Sequence, residues 1–315
     1  MASVVLIGEP LGLFSAQEYG AVKDVPRFNR SVAGAELNVG VGLSRLDHTV
    51  KYVTKIGRDP IGEHILDFMD VEKMDTSHVL FSDDHETGLM LKNKVSDGDP
   101  ITAYYRRCSA FTTLSVDDLR NVDVSSIKLL HVTGIPPAVN PGVREAIFYL
   151  MKKAREAGTF ITFDPNLRPA IWESEATMVS VLNELASYAD VVLPGIAEGK
   201  LLMGSDDVED IAKFYLNQGA KVVITKNGAH RAFVTEKAKE TINVKGFEVD
   251  KVVDTVGAGD GFAVGIIHAY LNGRSWTDAA VYGNAIGSLQ VQHVGDNEGL
   301  PTRSRLESYI EKFKQ

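Results

Sequence analysis

The chain has 315 residues, of which 44% are hydrophobic and 24% charged, and this balance predicts a globular protein with a sizeable core. Its net charge of -9, without a local basic patch, excludes a general attraction to nucleic acid and to acidic membranes. No apolar run reaches membrane-spanning length, and the first residues lack signal-peptide features, so we expect a cytoplasmic protein. The single cysteine, Cys108, excludes an internal disulfide.

The first part of the chain alternates apolar strands with amphipathic helices. Residues 4–7 and 51–56 are predicted strands, and residues 36–46 and 61–69 are predicted helices. Residues 10–31 lack helical periodicity, so we predict turns and short exposed strands there.

Residues 87–113 contain two alternating apolar runs separated by a turn sequence, Asp-Gly-Asp-Pro, at 97–100. This pattern predicts a β-hairpin. The hairpin and residues 11–33 are predicted to form a small sheet apart from the main body.

The pattern becomes regular after residue 125. Short β-rich runs occur at 129–132, 160–164, 191–194 and 222–225, and helical stretches lie between them at 141–156, 176–188 and 208–217. Such alternation predicts right-handed βαβ units and a parallel sheet covered on both faces. Ligands then belong at the carboxyl ends of the strands.

The strongest functional signal is Asp-Thr-Val-Gly-Ala-Gly-Asp-Gly-Phe at 254–262. Gly257 and Gly259 let the backbone approach a ligand closely, and amides at a helix start point at an anion. Asp260 lies where an attacking hydroxyl would meet that anion, which favours phosphoryl transfer. Apolar spacing predicts a helix from there to the stop signal at 272–273. The alternative is a packing turn whose aspartate only complements the helix dipole.

Other common site signatures are missing from the sequence. Nothing matches the Walker A pattern, and residues 257–262 lack the last glycine of the dinucleotide fingerprint, which disfavours a Rossmann dehydrogenase. The eight histidines show no zinc-ligand spacing.

Residues 254–260 resemble the C-terminal signature of the ribokinase-like (PfkB) family of carbohydrate kinases. Ala-Gly-Ala-Glu-Leu-Asn at 33–38, followed by residues 43–46 and 55–62, resembles the N-terminal signature. The resemblance spans nearly the whole chain. It implies one α/β domain over residues 1–315, with three α/β/α layers, a mostly parallel sheet and a β lid formed by about 11–33 and 87–113.

Within this family, Tyr104 and Arg106, followed by Cys-Ser-Ala at 108–110, are similar to the lid motif of kinases that act on 2-keto-3-deoxygluconate. An arginine can fork onto a carboxylate with two hydrogen bonds, which a neutral sugar does not require. The alternative for Arg106 is an ordinary exposed strand arginine.

The resemblance implies further substrate contacts. Gly34 and Asn38 would bind sugar hydroxyls, as would Asp296, and Arg168 would supply a second cation. Arg168 could instead form a salt bridge at a strand end, and Asp296 could be a turn aspartate.

For the nucleotide, the resemblance implies contacts from Asn166, Lys226, Gly228, Gly257, Gly259 and Asn284. Arg231 stands where the family's ATP loop has a second glycine, which puts the backbone path there in question. Asn284 could instead be a packing or surface residue.

The metal-linked Asn-x-x-Glu motif is incomplete, because Gly195 replaces its Asn while Glu198 is kept. Glu198 could act on Mg²⁺ through water, since this ion retains several waters in proteins. The alternative is a carboxylate that complements a helix start.

These features lead to the hypothesis of an ATP- and Mg²⁺-dependent kinase that phosphorylates the terminal hydroxyl of 2-keto-3-deoxygluconate. Asp260 would accept the hydroxyl proton, and the amides of Gly257, Ala258 and Gly259 would stabilise the transferred group. A fructose or ribose kinase, or a non-catalytic sugar or nucleotide sensor, remains an alternative. Exposed lid edges suggest a homo-oligomer.

Overall fold

The computed structural model describes residues 3–95 and 100–313, so most of the predicted turn at 97–100 lies outside the described residues. The strands are β1 (Val4–Ile7), β2 (Leu11–Tyr19), β3 (Phe28–Ala33), β4 (Val50–Gly57), β5 (Asp75–Ser82), β6 (Leu89–Lys94), β7 (Thr102–Tyr105), β8 (Leu129–Thr133), β9 (Phe160–Asp164), β10 (Val191–Val192), β11 (Val222–Asn227), β12 (Arg231–Glu236) and β13 (Ile242–Lys245). The helices are α1 (Ala35–Arg45), α2 (Pro60–Val71), α3 (Val116–Leu119), α4 (Pro136–Val139), α5 (Pro141–Glu156), α6 (Glu175–Ala186), α7 (Ile196–Met203), α8 (Val208–Asn217), α9 (Ala258–Leu271), α10 (Trp276–Gln290) and α11 (Arg303–Lys312).

The main sheet has nine strands in the order β13-β12-β11-β10-β9-β8-β1-β4-β5. Every pairing from β11 to β5 is parallel, and the two pairings of β12, with β11 and with β13, are antiparallel. Side chains of β1 alternate between two buried clusters, with Val4 and Leu6 in one and Val5 and Ile7 in the other. A sheet buried on both faces lies between two helical layers, so the predicted α/β class is confirmed.

A second sheet has the order β3-β2-β6-β7, and we call these four strands the small sheet. The predicted hairpin is present, because β6 pairs antiparallel with β7. The predicted short strands and turns within residues 10–31 are wrong in one respect, since β2 is nine residues long. It is long because it is an interior strand, pairing antiparallel with β3 and parallel with β6.

Helices α1 and α9 cross closely behind the site. A Cβ added at Gly42 would lie only 2.5 Å from Cγ2 of Val264, so the glycine permits this approach. The first turns of both helices are thereby brought to the same end of the main sheet. Among the described residues, no helix is both long and apolar enough to cross a membrane.

Candidate active site

A cavity of about 910 Å³ opens where the parallel strands end, with walls from both sheets. The predicted residues that line it are Gly34, Asn38, Tyr104, Arg106, Asn166, Arg168, Glu198, Lys226, Gly228, Gly257, Gly259, Asp260 and Asp296. Fold topology therefore collects these separated positions in one place, as expected for the carboxyl end of a parallel sheet.

Asp260 lies in the first turn of α9 and is held by a neighbouring helix. Its Oδ2 accepts a hydrogen bond of 2.7 Å from Nδ2 of Asn38, in α1. Burial raises the pKa of Asp260 to about 6, while the hydrogen bond from Asn38 and the charge of Arg168 oppose that rise. The carboxylate is therefore mostly ionised at neutral pH, but close to its titration range.

Two glycines shape the start of α9 in different ways. Gly257 has φ 79°, and an added Cβ would lie 2.2 Å from the carbonyl oxygen of Asp296, so both backbone conformation and space require glycine. An added Cβ at Gly259 would meet no atom within 4 Å. The Gly259 side of this turn thus borders open space in the cavities, where an anion could approach the helix start.

Asp296 is only 5% exposed, and its Oδ1 has no hydrogen-bond partner. Burial raises its pKa to about 6 against the charge of Lys92, and the charge of Asp260 adds to the rise. A buried acceptor without a hydrogen-bond partner, on a cavity wall, is available to a ligand hydroxyl.

Arg106 is anchored by a buried carboxylate. Its Nε donates to Oε2 of Glu9 over 2.7 Å, and its Nη2 forms an ion pair with the same oxygen. Oε1 of Glu9 accepts a hydrogen bond of 2.5 Å from Ser109, and burial raises the pKa of Glu9 against the charge of Arg106. Glu9 thus holds the guanidinium beside the cavity, with its Cζ 6.0 Å from the ring centroid of Tyr104.

The two other cations predicted for the site, Arg168 and Lys226, differ in exposure. Arg168 is exposed, and its Nη1 donates to the carbonyl of Leu167 over 2.8 Å. Nζ of Lys226 donates to both carboxylate oxygens of Asp164, at 2.8 and 2.7 Å. Although burial opposes its charge, Asp164 keeps the pKa of Lys226 above its ordinary value, so the lysine stays protonated.

A second, more apolar cavity of about 340 Å³ adjoins the first. Both cavities are lined by Lys226, Gly228, Thr255 and Gly259. Ala258, Asn284 and Arg231 line only the second, where the Asn284 side chain donates to the carbonyls of Val244 and Lys245 at 3.3 and 3.0 Å. The two cavities meet at the start of α9, beside Asp260.

Glu198 lines the large cavity while capping its own helix. Its Oε1 accepts from the amide of Leu167 at 3.0 Å, and its Oε2 accepts from the amide of Gly195 at 2.6 Å. Across residues 3–95 and 100–313, no group of three His, Cys, Asp or Glu could hold a metal ion. Because both oxygens of Glu198 already accept backbone hydrogen bonds, this carboxylate is better suited to hold a divalent ion through water than to coordinate it directly.

Several residues of the site were not found from the sequence. They are Glu9, Glu36, Lys92 and Asn297, which are all buried, and Asn297 joins Asn38 to the carbonyl of Val32. The alternation of the hairpin offered one signal, because Lys92 falls two residues after the buried Met90 and so shares its face.

A family model described as pfkB family carbohydrate kinase matches residues 1–303. The 2-dehydro-3-deoxygluconokinase of Bacillus subtilis (strain 168) is 46% identical over 307 residues, which are 97% of this chain and 94% of that relative.

Solved structures agree over the full fold. A PfkB protein from Polaromonas sp. JS666 has a TM-score of 0.91 at 38% identity, covering 98% of this chain and 100% of that one. An E. coli structure named as a Ribokinase II, in complex with ATP and Mg²⁺, has a TM-score of 0.90 over 99% of this chain and 100% of that one. Its identity is 24%, so it bears on the fold alone.

Proposed function

The chain belongs to the pfkB family of carbohydrate kinases, and from this premise we propose that it transfers the γ-phosphoryl group of ATP to the terminal hydroxyl of 2-keto-3-deoxygluconate. The product would be 2-keto-3-deoxy-6-phosphogluconate. The name of the Bacillus subtilis relative supports this substrate. The observation that carries the proposal is that Asp260 and the anchored Arg106 line one cavity. Asp260 can accept a hydroxyl proton, and Arg106 can bind a carboxylate.

Asp260 would act late in the reaction. A carboxylate with a pKa of about 6 cannot deprotonate a free alcohol, but in a loose transition state it can accept the proton as the hydroxyl oxygen bonds to phosphorus. Its hydrogen bond to Asn38 fixes the carboxylate for that step. The amides of Gly257, Ala258 and Gly259 would stabilise the charge on the transferred phosphoryl group, because the first N–H groups of a helix lack intrahelical acceptors.

Substrate contacts would come from both walls of the cavity. Arg106 and Arg168 would hold the carboxylate, and charge-assisted bonds of this kind are stronger than neutral ones. Gly34, Asn38, Tyr104 and Asp296 would contact the hydroxyls. A site with two arginines favours an acid sugar over a neutral one, because a neutral sugar has no carboxylate with which to form charge-assisted bonds to them.

ATP would extend from the large cavity into the second one. Asn166, Lys226 and Gly228 would face its phosphates, and Asn284 would lie near the adenine. Glu198 would hold a Mg²⁺ ion through water, and such an ion would supply positive charge to neutralise the phosphates. The small sheet would act as a lid that excludes water from the site.

We also propose that two copies of the chain associate through the small sheet. Tyr19, Ile101 and Tyr105 are 66%, 72% and 61% exposed there, and an uncovered strand edge favours a partner. Sedimentation velocity tests this, because Ile101→Lys should shift the protein toward monomer. Phe313→Lys, at a 48% exposed site away from the small sheet, should not. A monomeric wild type would refute the association.

The substrate proposal is tested by ADP release over a panel of 2-keto-3-deoxygluconate, 2-keto-3-deoxygalactonate, fructose and ribose. We expect kcat/KM for the sugar acids to exceed that for the neutral sugars by at least about 10²-fold, the scale of losing a charge-assisted contact. Preference for fructose or ribose would identify a neutral-sugar kinase. Ligand-induced thermal stabilisation without ADP release would identify a sensor.

A further inference from the structure

Lys92 links the small sheet to the body through a buried ion pair. It lies on β6, and its Nζ is 2.7 Å from Oδ2 of Asp254 and 3.6 Å from Oδ1 of Asp296. The three side chains are 8%, 11% and 6% exposed. Asp254 and Asp296 lie on separate loops of the body, so one lysine of the small sheet meets two loops at once.

Both carboxylate residues adjoin the turn that leads into α9. Oδ1 of Asp254 accepts a hydrogen bond of 3.1 Å from the amide of Val256, which closes a local turn. The carbonyl of Asp296 packs against Gly257, where an added Cβ would lie only 2.2 Å away. A displacement of either residue would therefore move the turn that presents the helix-start amides and Asp260.

Stability alone gives a weak reason for this arrangement. Removing a lysine and a carboxylate from water costs several kcal/mol per ion, and well-packed apolar residues of similar volume are often as stable or more stable. The pair does have one property that an apolar contact lacks, because it fixes the position of its partner atoms. It also exists only while β6 is seated on the body.

We propose that Lys92 is a positioning residue for phosphoryl transfer, which fixes the turn at 254–257 when the small sheet is seated. The proposal rests on the kinase activity of the proposed function and is independent of which sugar is the acceptor. Lys92 acts through Asp254 and Asp296 and has no step of its own in the chemistry.

Two other roles give different results on substitution. A purely structural ion pair would lower the unfolding temperature and leave kcat unchanged. A direct contact with the sugar carboxylate would raise KM for the sugar acid and leave kcat unchanged. Positioning lowers kcat while both KM values stay near those of the wild type.

The test compares Lys92→Met, Lys92→Arg and the control Lys94→Met. Lys94 lies on the same strand and the same face, but it is exposed, and its side chain contacts the small sheet at the carbonyl of Gln17 and the ring of Tyr19. We expect K92M to lower kcat by about 10- to 100-fold with KM for ATP and sugar within about threefold. K92R should recover at least part of this loss, and K94M should match the wild type.

K92M leaves Asp254 without its cation, so K92M combined with Asp254→Asn serves as a second variant that removes both charges of the Lys92–Asp254 pair. The same loss of kcat is expected in it. A kcat within threefold of wild type in either variant, or a change confined to KM for the sugar acid, would overturn the proposal.

Hydrogen exchange supplies a readout that does not need turnover. The hydrogen-bonded amides of this turn, at Val256, Ala258 and Gly261, should exchange at least about tenfold faster in K92M than in wild type and K94M, because a loosened turn opens these bonds more often. Unchanged exchange would refute the positioning role. Wild-type protein that phosphorylates no sugar would refute the proposed function, and the exchange rates would still decide whether Lys92 fixes the turn at 254–257.

Discussion

Asn38 donates a hydrogen bond of 2.7 Å from Nδ2 to Oδ2 of Asp260, joining the first turns of α1 and α9. Oδ1 of Asn38 in turn accepts from Nδ2 of Asn297 at 3.2 Å, and that same amide nitrogen donates to the carbonyl of Val32 in the small sheet. The carboxylate proposed as proton acceptor is thus connected to α1, the 295–299 loop and the small sheet. Its position depends on all three.

Replacing Asp260 by Asn should lower kcat by about 10²–10⁴-fold while ATP still binds, because the variant keeps the side-chain shape but loses the proton acceptor. Steady-state ADP release and calorimetric titration with ATP measure the two effects. Asp278→Asn is a matched control, since Asp278 also lies in the first turn of a helix, where its amide is bonded to the capping Ser275. If Asp260 served only the helix dipole, both variants would keep a near-normal kcat.

The pH dependence of kcat/KM should show an acidic limb near the raised pKa of Asp260. Below about pH 6 the carboxylate is protonated and cannot accept the hydroxyl proton, so activity should fall as pH decreases. Asn38→Ala removes a bond that favours the ionised form, so the limb should move to higher pH. Comparing variants on the same substrates cancels the titration of the substrates themselves.

Asp296 also has a pKa raised to about 6, so its titration overlaps that of Asp260. Asp296→Asn distinguishes the titration of Asp260 from that of Asp296. In this variant the kcat/KM profile should keep an acidic limb that corresponds to one proton, that of Asp260. Loss of the limb in this variant would assign the titration to Asp296, and a limb that does not move in Asn38→Ala would contradict the role given to Asn38.

Gly259→Val should abolish most activity without unfolding the protein. The added side chain enters open space where the two cavities meet, so it would obstruct the phosphates while touching no protein atom at its Cβ. We expect a fall in kcat/KM for ATP of at least about tenfold, the scale of a misplaced reacting group. Gly142→Val is the control, because Gly142 is likewise the second residue of a helix and has only Asn140 Oδ1 near its Cβ, at 3.4 Å. Equal activity of Gly259→Val and Gly142→Val would contradict the proposal that the phosphates bind where the two cavities meet.

Arg106→Ala should raise KM for the sugar acid by about 10- to 100-fold, the equivalent of one charged hydrogen-bonded contact. KM for a neutral sugar should change little. Arg106→Ala leaves Glu9 buried without its cation, so KM for both kinds of sugar is also measured in the double variant Glu9→Gln/Arg106→Ala. Arg27→Ala is the control, since Arg27 is 70% exposed at its side chain and pairs with Glu18. Equal increases for acid and neutral sugars would exclude carboxylate recognition by Arg106.

The sequence predicted elements best where local signals agreed. Helix α5 spans the predicted residues 141–156, because Pro141 favours a helix start and Asn140 caps it by accepting from the amide of Val143 at 2.9 Å. Strand β5 was not predicted, since its burial alternates poorly at the edge of the main sheet. Strands β12 and β13, whose pairings with β11 and with each other are antiparallel, were also not predicted.

The candidate site was predictable only where a motif was local. Residues 254–260 and 33–38 lie on short segments, and their close approach follows from the parallel sheet. The contacts of Lys92 with Asp254 and of Glu9 with Arg106 span 162 and 97 positions, and no local pattern specifies such pairs. The polar residues buried between elements therefore required the structure.

Glu36 provides a stability test of the same region. It is 1% exposed, it accepts a hydrogen bond from the hydroxyl of Thr133, and burial raises its pKa to about 7. A carboxyl group with a raised pKa binds its proton more tightly in the folded state. Its protonation therefore supports folding fully below the ordinary pKa of 4.5, and this support is lost as pH rises through about 7. Glu36→Gln should remove that loss, so the variant should gain up to about 3 kcal/mol in free energy of unfolding at pH 8 relative to pH 4.5.

Urea unfolding of wild type and variant at both pH values measures the difference. Glu63→Gln is the matched control, because Glu63 is also in the first turn of its helix but is exposed. This variant should leave the pH dependence of the free energy of unfolding unchanged. If the free energy of unfolding changed with pH in the same way for wild type and Glu36→Gln, burial and the nearby charge of Asp260 would not raise the pKa of Glu36.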